Sequence, residues 1–233
     1  MDELKERIKF HWDFAWHYLK YKWRNKKENY ANPQPIPKII HYVWFGKKEY
    51  SETIKKCMES WKKLSGYEFK LWNEENFPIE QYPFAQQAYA EKRYAMVSDV
   101  ARLHALYHEG GIYLDTDIEI FKTFDPLLHN DGFICFQSRH TLMTAVIAAK
   151  PKHPWIKLLL SWYQWVKWHP IYRVVANTKI ISRLTKAHYV VKFRGKEVTL
   201  KDGIKCLPAE YFNPVKGKTE NTYARHHEEG QWE

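Results

Sequence analysis

Two apolar stripes run through the first thirty residues. Ile8, Trp12, Trp16, Leu19 and Trp23 recur at helical spacing, and Phe10, Phe14, Tyr18 and Tyr21 form a second series two positions away. At about 100° per residue that offset puts the stripes on opposite faces of one helix. One face is free to pack on the rest of the chain. The other is left for a second subunit, another part of the protein or a membrane interface, where Trp, Tyr and Lys are at home. Asn32-Pro-Gln-Pro-Ile-Pro37 is an extended breaker, so residues 1–32 read as an N-terminal amphipathic aromatic helix and residues 33–233 as one further domain.

Beyond the breaker the period alternates between two and 3.6. Lys38 to Phe45 reads as a strand ending at Gly46, Thr53 to Leu64 as a helix, and Tyr67 to Trp72 as a second strand closed by the polar Asn73-Glu-Glu-Asn76. Strand, helix, strand is the opening of an α/β fold. Tyr82 to His108 carries a helical stripe of Val97, Val100, Ala101, Leu103 and Leu106, stopped by Gly110-Gly111. Ile112-Tyr113-Leu114 follows as a short buried strand. Pro154 to Trp168 is another amphipathic helix, and Lys192 to Leu200 a polar hairpin or edge element. There is no internal repeat and no low-complexity tract.

At 233 residues with 45% hydrophobic and 27% charged positions, the chain is long enough for one compact core and far from disordered compositions. Cys57, Cys135 and Cys206 are widely spaced with no C-x-x-C pairing, which argues against a disulfide framework or a zinc ribbon. The charged start and the lack of an apolar run of about 20 residues lead us to expect neither a cleaved signal nor a membrane span. Net charge is +10, and it is regional: Lys150 to Lys205 holds thirteen Lys and Arg against Glu197 and Asp202. Trp155, Trp162, Tyr163, Trp165, Trp168 and Tyr172 lie in the same stretch. Basic residues interleaved with rings suit an anionic bilayer or a nucleic acid; the alternative is a solvated basic face whose rings lie in the core.

The chemistry concentrates in Ser98-Asp-Val-Ala-Arg-Leu-His104 and Gly110-Gly-Ile-Tyr-Leu-Asp-Thr-Asp117. Asp99 and Arg102, three apart on a helix, share a face. Asp115 and Asp117, two apart at a strand end, aim their carboxylates the same way. Oxygen ligands of this kind suit a hard divalent ion such as Mg²⁺ or Mn²⁺, whose shell is completed by substrate phosphates. A bare Asp-x-Asp is a weak signal; the paired glycine, the apolar strand and the Asp/Arg helix beside it place the carboxylates at the carboxyl end of an α/β sheet, where ligands bind.

These segments resemble the DXD-motif sugar transferases of glycosyltransferase family 32, which includes initiating α-1,6-mannosyltransferases and capsular-polysaccharide transferases, with the large clostridial glucosylating toxins as more distant relatives. The likeness runs through Ile36-Pro-Lys-Ile-Ile-His-Tyr-Val-Trp-Phe-Gly46, Leu71-Trp-Asn73, Ser98 to Arg102 and Gly110 to Asp117. It continues more faintly through Lys150 to Pro154, Leu207 to Phe212 and Tyr223 to His227. The resemblance implies a GT-A, Rossmann-like nucleotide-sugar-binding fold, a nucleoside-diphosphate sugar donor, a divalent cation and retention of anomeric configuration. By the same resemblance Trp44 stacks on the donor base, Asn73 and Tyr113 are donor-side contacts, and Asp99, Arg102 and Asp115 are the catalytic contacts to the donor sugar. Asp115 and Asp117 are its metal ligands, with His226 or His227 completing the shell. Two departures stand out. The family's closing His-His-x-x-x-Ser-Trp reads His226-His-Glu-Glu-Gly-Gln-Trp232 here, and Asn177-Thr178 stands where relatives carry Gly-Pro before the loop that meets the sugar.

The expected activity is therefore metal-dependent transfer of a hexose, from a UDP-linked donor, to a glycan acceptor. The charge map extends this to a polyprenyl-diphosphate-linked glycan in bacterial surface-polysaccharide synthesis, handled by a peripheral enzyme on the cytoplasmic face of the cell membrane. A homodimer is a further partner expectation; nucleic acid is not expected. Two rivals remain at this point. A basic-aromatic binding module without catalysis leaves the carboxylate pair unexplained, and a metal-dependent phosphohydrolase does not need Trp44 or the Asp99/Arg102 pair.

Overall fold

In the computed structural model, residues 2–25, 30, 32–166, 176–215 and 217–229 are described, with side chains from residue 11 onward. A seven-stranded mixed sheet runs through the molecule in the order β2-β1-β3-β6-β5-β8-β7. Its strands are β1 (Ile39–Val43), β2 (Glu68–Trp72), β3 (Gly111–Leu114), β5 (Gly132–Phe136), β6 (Leu142–Ala149), β7 (Val198–Thr199) and β8 (Ile204–Leu207). β1 is parallel to both β2 and β3, β6 is antiparallel to β3 and β5, and β5 is parallel to β8. β4 (Ile118–Ile120) and β9 (Ala224–His226) form a separate antiparallel pair.

Side-chain alternation along the strands splits the core in two. On one face Tyr113, Ile134, Phe136 and Ile147 pack beneath α1 (Asp2–Arg24), α3 (Pro83–Ala90), α4 (Tyr94–Glu109), α5 (Pro154–Trp165) and α6 (Asn177–Tyr189). On the other, Ile112, Leu114, Phe133 and Val146 meet Trp61, which follows α2 (Glu52–Ser60), together with Phe124 and Phe212. α4 is the central helix: Val97 through Leu106 are buried apart from Asp99, so an apolar stripe alone does not describe it. Phe14 and Tyr21 of α1 belong to the same buried cluster as α4 and α5, which fastens the N-terminal helix onto the domain. Among the described residues no helix is long and apolar enough to cross a membrane, and all three cysteines are buried and free.

The elements expected from the sequence appear with two corrections. The Tyr82 to His108 stretch is two helices, broken where Lys92 takes a left-handed conformation at φ 58° inside the polar Glu91-Lys-Arg93. The polar Lys192 to Leu200 segment supplies β7 at the sheet edge, the edge element expected of it. The aromatic residues of the basic stretch are mostly core: Trp155, Trp162 and Tyr163 are fully buried and Trp165 half-buried. Trp168 and Tyr172 lie outside the described residues. Rings and positive charge are neighbours in the sequence there, but among the described residues the rings of that stretch are turned mostly into the core.

Gly111 is fixed by close approach. A Cβ there would sit 2.6 Å from the Ile39 carbonyl oxygen of β1, and its φ of 100° favours glycine as well. The neighbouring Gly110 carbonyl accepts from His41 Nε2 at 2.8 Å, while His41 Nδ1 accepts from the Trp72 indole at 3.1 Å. Trp N–H only donates, so His41 is the neutral Nε2–H tautomer, in keeping with the burial that lowers its pKa. One imidazole in the middle of β1 thus ties that strand to the ends of β2 and α4, just before the strand that carries the carboxylates.

Candidate active site

Because β1, β2 and β3 are parallel, their carboxyl ends share one edge, with Val43 opposite Trp72 and His41 opposite Tyr113. Every residue that leaves that edge is a candidate for ligand contact. Tyr113 and Asp115, two apart, point toward the α4 side, and the Tyr113 hydroxyl donates to Asp115 Oδ1 at 2.6 Å. Arg102 lies 4.6 Å from the Tyr113 ring centroid and bridges two carboxylates, Asp99 Oδ1 at 3.0 Å and Asp115 Oδ1 at 3.5 Å. Its remaining N–H groups go to the Ser98 carbonyl and hydroxyl and to the Thr144 carbonyl. A buried guanidinium needs this many partners, and they leave it one orientation.

Asp99 is also held from α6. Asn177 Nδ2 donates to Asp99 Oδ1 at 2.7 Å, and Asn177 Oδ1 accepts from the Tyr163 hydroxyl at 2.9 Å. Burial pushes the Asp99 carboxyl up to about 6, against the pull of Arg102 and the Asn177 hydrogen bond. Burial alone would lower the Arg102 pKa, but Tyr113, Asp115 and Asp99 outweigh it and hold the guanidinium charged.

The second group forms around Asp117. Pairing of β9 with β4 sets His226 opposite Ile118 and brings its Nε2 to 3.3 Å from Asp117 Oδ1. The Glu229 backbone N–H donates to Asp117 Oδ2 at 2.9 Å. Burial works against the Asp117 carboxylate, yet the hydrogen bond and charge of His226 and the Glu229 amide keep its pKa below the ordinary value. His226 moves the other way: burial lowers it, and Asp117 and Asp115 raise it further than burial takes it down. Ligand atoms of Asp115, Asp117 and His226 all lie within 4.8 Å of one another, close to the spacing that one six-coordinate shell at about 2.1 Å permits. His226 Nδ1 is buried without a protein hydrogen-bond partner. Two carboxylates and an imidazole fit a divalent cation, with positions left for further oxygen ligands.

The structure thus brings together Asp99, Arg102, Tyr113 and Asp115 in one cluster, and Asp115, Asp117 and His226 in the next. His227 is not brought in. Adjacent strand residues face opposite ways, and its Nε2 meets Glu119 at 3.1 Å. Asn73 sits at the end of β2, but its side-chain oxygen accepts from the Glu75 N–H and so serves the turn. Trp44 lies at the same edge, nearly enclosed, with its indole N–H donated to the Lys48 carbonyl and its ring 4.5 Å from Tyr50. Residues that spacing did not point to are Tyr163, Thr144 and Glu229, together with Glu74, whose carboxylate accepts from Gly46 N–H and the Tyr89 hydroxyl. Asn177 was visible in the sequence only as a departure from the Gly-Pro of relatives.

Residues 48–134 match the family described as "Glycosyltransferase sugar-binding region containing DXD motif", and the match spans α2 through β5 and includes Asp99, Arg102, Asp115 and Asp117. The chain carries a DXD-motif glycosyltransferase region. Relatives of this region include inositol phosphoceramide mannosyltransferase 1 of Schizosaccharomyces pombe, 32% identical over 131 residues, 53% of this chain and 41% of that protein. Mannosyl phosphorylinositol ceramide synthase SUR1 of Saccharomyces cerevisiae is 31% identical over 137 residues, 55% of this chain and 35% of that protein. The chain spans about two-fifths of the length of these curated relatives. Among solved structures, the PaToxG glycosyltransferase superposes with a TM-score of 0.54 at 23% identity, covering 79% of this chain and 78% of its own. The glycosyltransferase region therefore sits in the GT-A arrangement expected from the sequence.

Proposed function

We propose that the chain transfers a hexosyl group from a nucleoside-diphosphate sugar to a hydroxyl of a lipid-borne headgroup, with a divalent cation bound by Asp115, Asp117 and His226. The observation that supports this most is the convergence of those three side chains beside the Arg102 cluster at the carboxyl edge of β1 and β3. When bound, the cation supplies Lewis-acid stabilisation of the departing diphosphate. Arg102, held by five contacts, fixes Asp99 and Asp115 in the positions where they accept sugar hydroxyls, so that the anomeric carbon is presented in one orientation. Asn177 and Tyr163 position Asp99, and Tyr113 positions Asp115. Trp44 is assigned to the base of the nucleotide, and retention of anomeric configuration belongs to the same reading.

For the acceptor, the curated relatives with ceramide in their names and the polyprenyl-linked glycan expected from the charge map share one chemistry, a hydroxylated headgroup on a lipid. We extend the proposal to the inner face of the cell membrane, where anionic lipid is concentrated. The test is a product assay with UDP-glucose, UDP-galactose and GDP-mannose, Mn²⁺ or Mg²⁺, and detergent-dispersed glycolipid acceptors. Metal-dependent formation of glycosylated lipid with release of intact nucleoside diphosphate is expected, with the product anomer matching the donor by NMR. Release of nucleoside monophosphate and sugar phosphate instead would establish a phosphohydrolase and end this reading.

A further inference from the structure

The inner and outer faces of α1 differ in a way that the proposed chemistry does not use. On the inner face Phe14 packs 5.5 Å from Trp162, the Tyr18 hydroxyl donates to the Ala187 carbonyl, and the Tyr21 hydroxyl reaches the Pro154 carbonyl. Arg183 lies 4.0 Å over the Phe14 ring. These contacts fix the helix on α5 and α6, and so fix which residues point outward. Outward are Trp12, Trp16, Leu19 and Trp23, which are 73%, 67%, 62% and 71% exposed. At positions i, i+4, i+7 and i+11 they form one continuous stripe.

We propose that this stripe is a membrane-docking face that seats in the interface of an anionic phospholipid bilayer. Three observations carry it. The exposed side chains are mostly tryptophan, whose ring is apolar with one N–H and settles at headgroup depth. A helix–helix seam is ordinarily built from Leu, Ile and Val instead. The end of the helix is cationic: its last five residues contain Lys20, Lys22 and Arg24 and no acid, each such charge near an anionic surface adding about 1 kcal/mol of attraction. The face is also placed beside the chemistry. Tyr21 of α1 reaches the start of α5, while His17 lies against Trp162 and Trp165, and Lys20 and Arg24 over Trp165, near the end of α5. That end of α5 holds Tyr163, which bonds Asn177 and through it Asp99. A bilayer against α1 therefore lies alongside the donor-sugar cluster. The proposal rests on the lipid-acceptor reading for its purpose, while docking itself is measured with no donor present.

The experiment is flotation of the full chain with vesicles of phosphatidylcholine alone and of phosphatidylcholine with phosphatidylglycerol, at physiological ionic strength. The wild type is expected to float with the mixed vesicles and to do so less with the neutral ones. W12S/W16S/W23S is expected to lose about tenfold or more in partitioning while its thermal midpoint stays near wild type, and K22E/R24E to lose binding to the anionic vesicles alone. The proposal is overturned if the wild type stays with the unbound fraction, if the triple variant floats as the wild type does, or if the stripe is covered by a dimer that the triple variant abolishes. Vesicle binding without any glycosyl transfer would sink the functional reading and leave docking standing; transfer to a lipid in detergent without vesicle binding would do the reverse.

Discussion

At the carboxyl edge of β1 and β3 the protein buries charge, and along the outer face of α1 it exposes tryptophan. Both invert the usual distribution of side chains. Their supports differ. Arg102 is enclosed and satisfied by two carboxylates, a serine and two backbone carbonyls, whereas Trp12, Trp16 and Trp23 project outward from a helix anchored through its opposite face. The buried cluster is held by partners inside the molecule; the exposed stripe leaves its stabilisation to something outside it. Places where a sequence violates the ordinary burial rule while the surrounding fold remains consistent are where function is to be sought.

Four substitutions separate the two regions by size of effect. Arg102→Ala strips the compensation from Asp99 and Asp115 and is expected to cost about 3–5 kcal/mol of stability as well as transfer activity, read by denaturant unfolding and by product formation. Arg102→Lys should recover much of the stability but not the activity, because an ammonium lacks the fork that spans two carboxylates. Trp155→Ala, in the buried Trp-rich helix α5, is expected to cost about 3–5 kcal/mol through the cavity it leaves. Trp16→Ala on α1 is expected to stay within about 0.5 kcal/mol of wild type. Equal losses at Trp155 and Trp16 would erase the contrast between the two helices.

A smaller effect sharpens the buried side. Asp99 has an unfolded pKa of about 3.9 and is pushed up to about 6 in the fold by burial. Between those values the folded state holds more protons than the unfolded one, so this group's contribution is fully present below about pH 4 and is lost as pH rises through about 6. Asp99→Asn removes that dependence. Its stability relative to wild type should therefore rise across the same window, on the order of 3 kcal/mol in total, while transfer falls. A difference that is flat with pH would show that Asp99 titrates normally.

The sequence made the donor edge legible because its residues are local: Asp99 with Arg102, and Asp115 with Asp117, are set by helix and strand periods alone. His226 was legible through family likeness and was separated from His227 only by the pairing of β9 with β4. Tyr163 and Asn177 reach Asp99 from α5 and α6, and no spacing rule links residue 177 to residue 99. β6 escaped notice because Leu142–Ala149 is buried on both faces and so lacks alternation. α6 did so because Thr, Ser and Ile dilute its helical preference. The aromatic-basic stretch misled for a related reason: composition records which residues are near one another in sequence, while burial depends on which face of α5 they occupy.

The measurement closest to the central claim is manganese sequestration followed by electron paramagnetic resonance, with and without UDP or GDP, in the wild type and in Asp117→Ala. Wild-type protein with a nucleoside diphosphate is expected to withdraw free Mn²⁺ from the signal, and the variant, folded to the same thermal midpoint, to leave it unchanged. Equal withdrawal by both proteins, or none by the wild type, would contradict a cation held between the aspartates and a pyrophosphate.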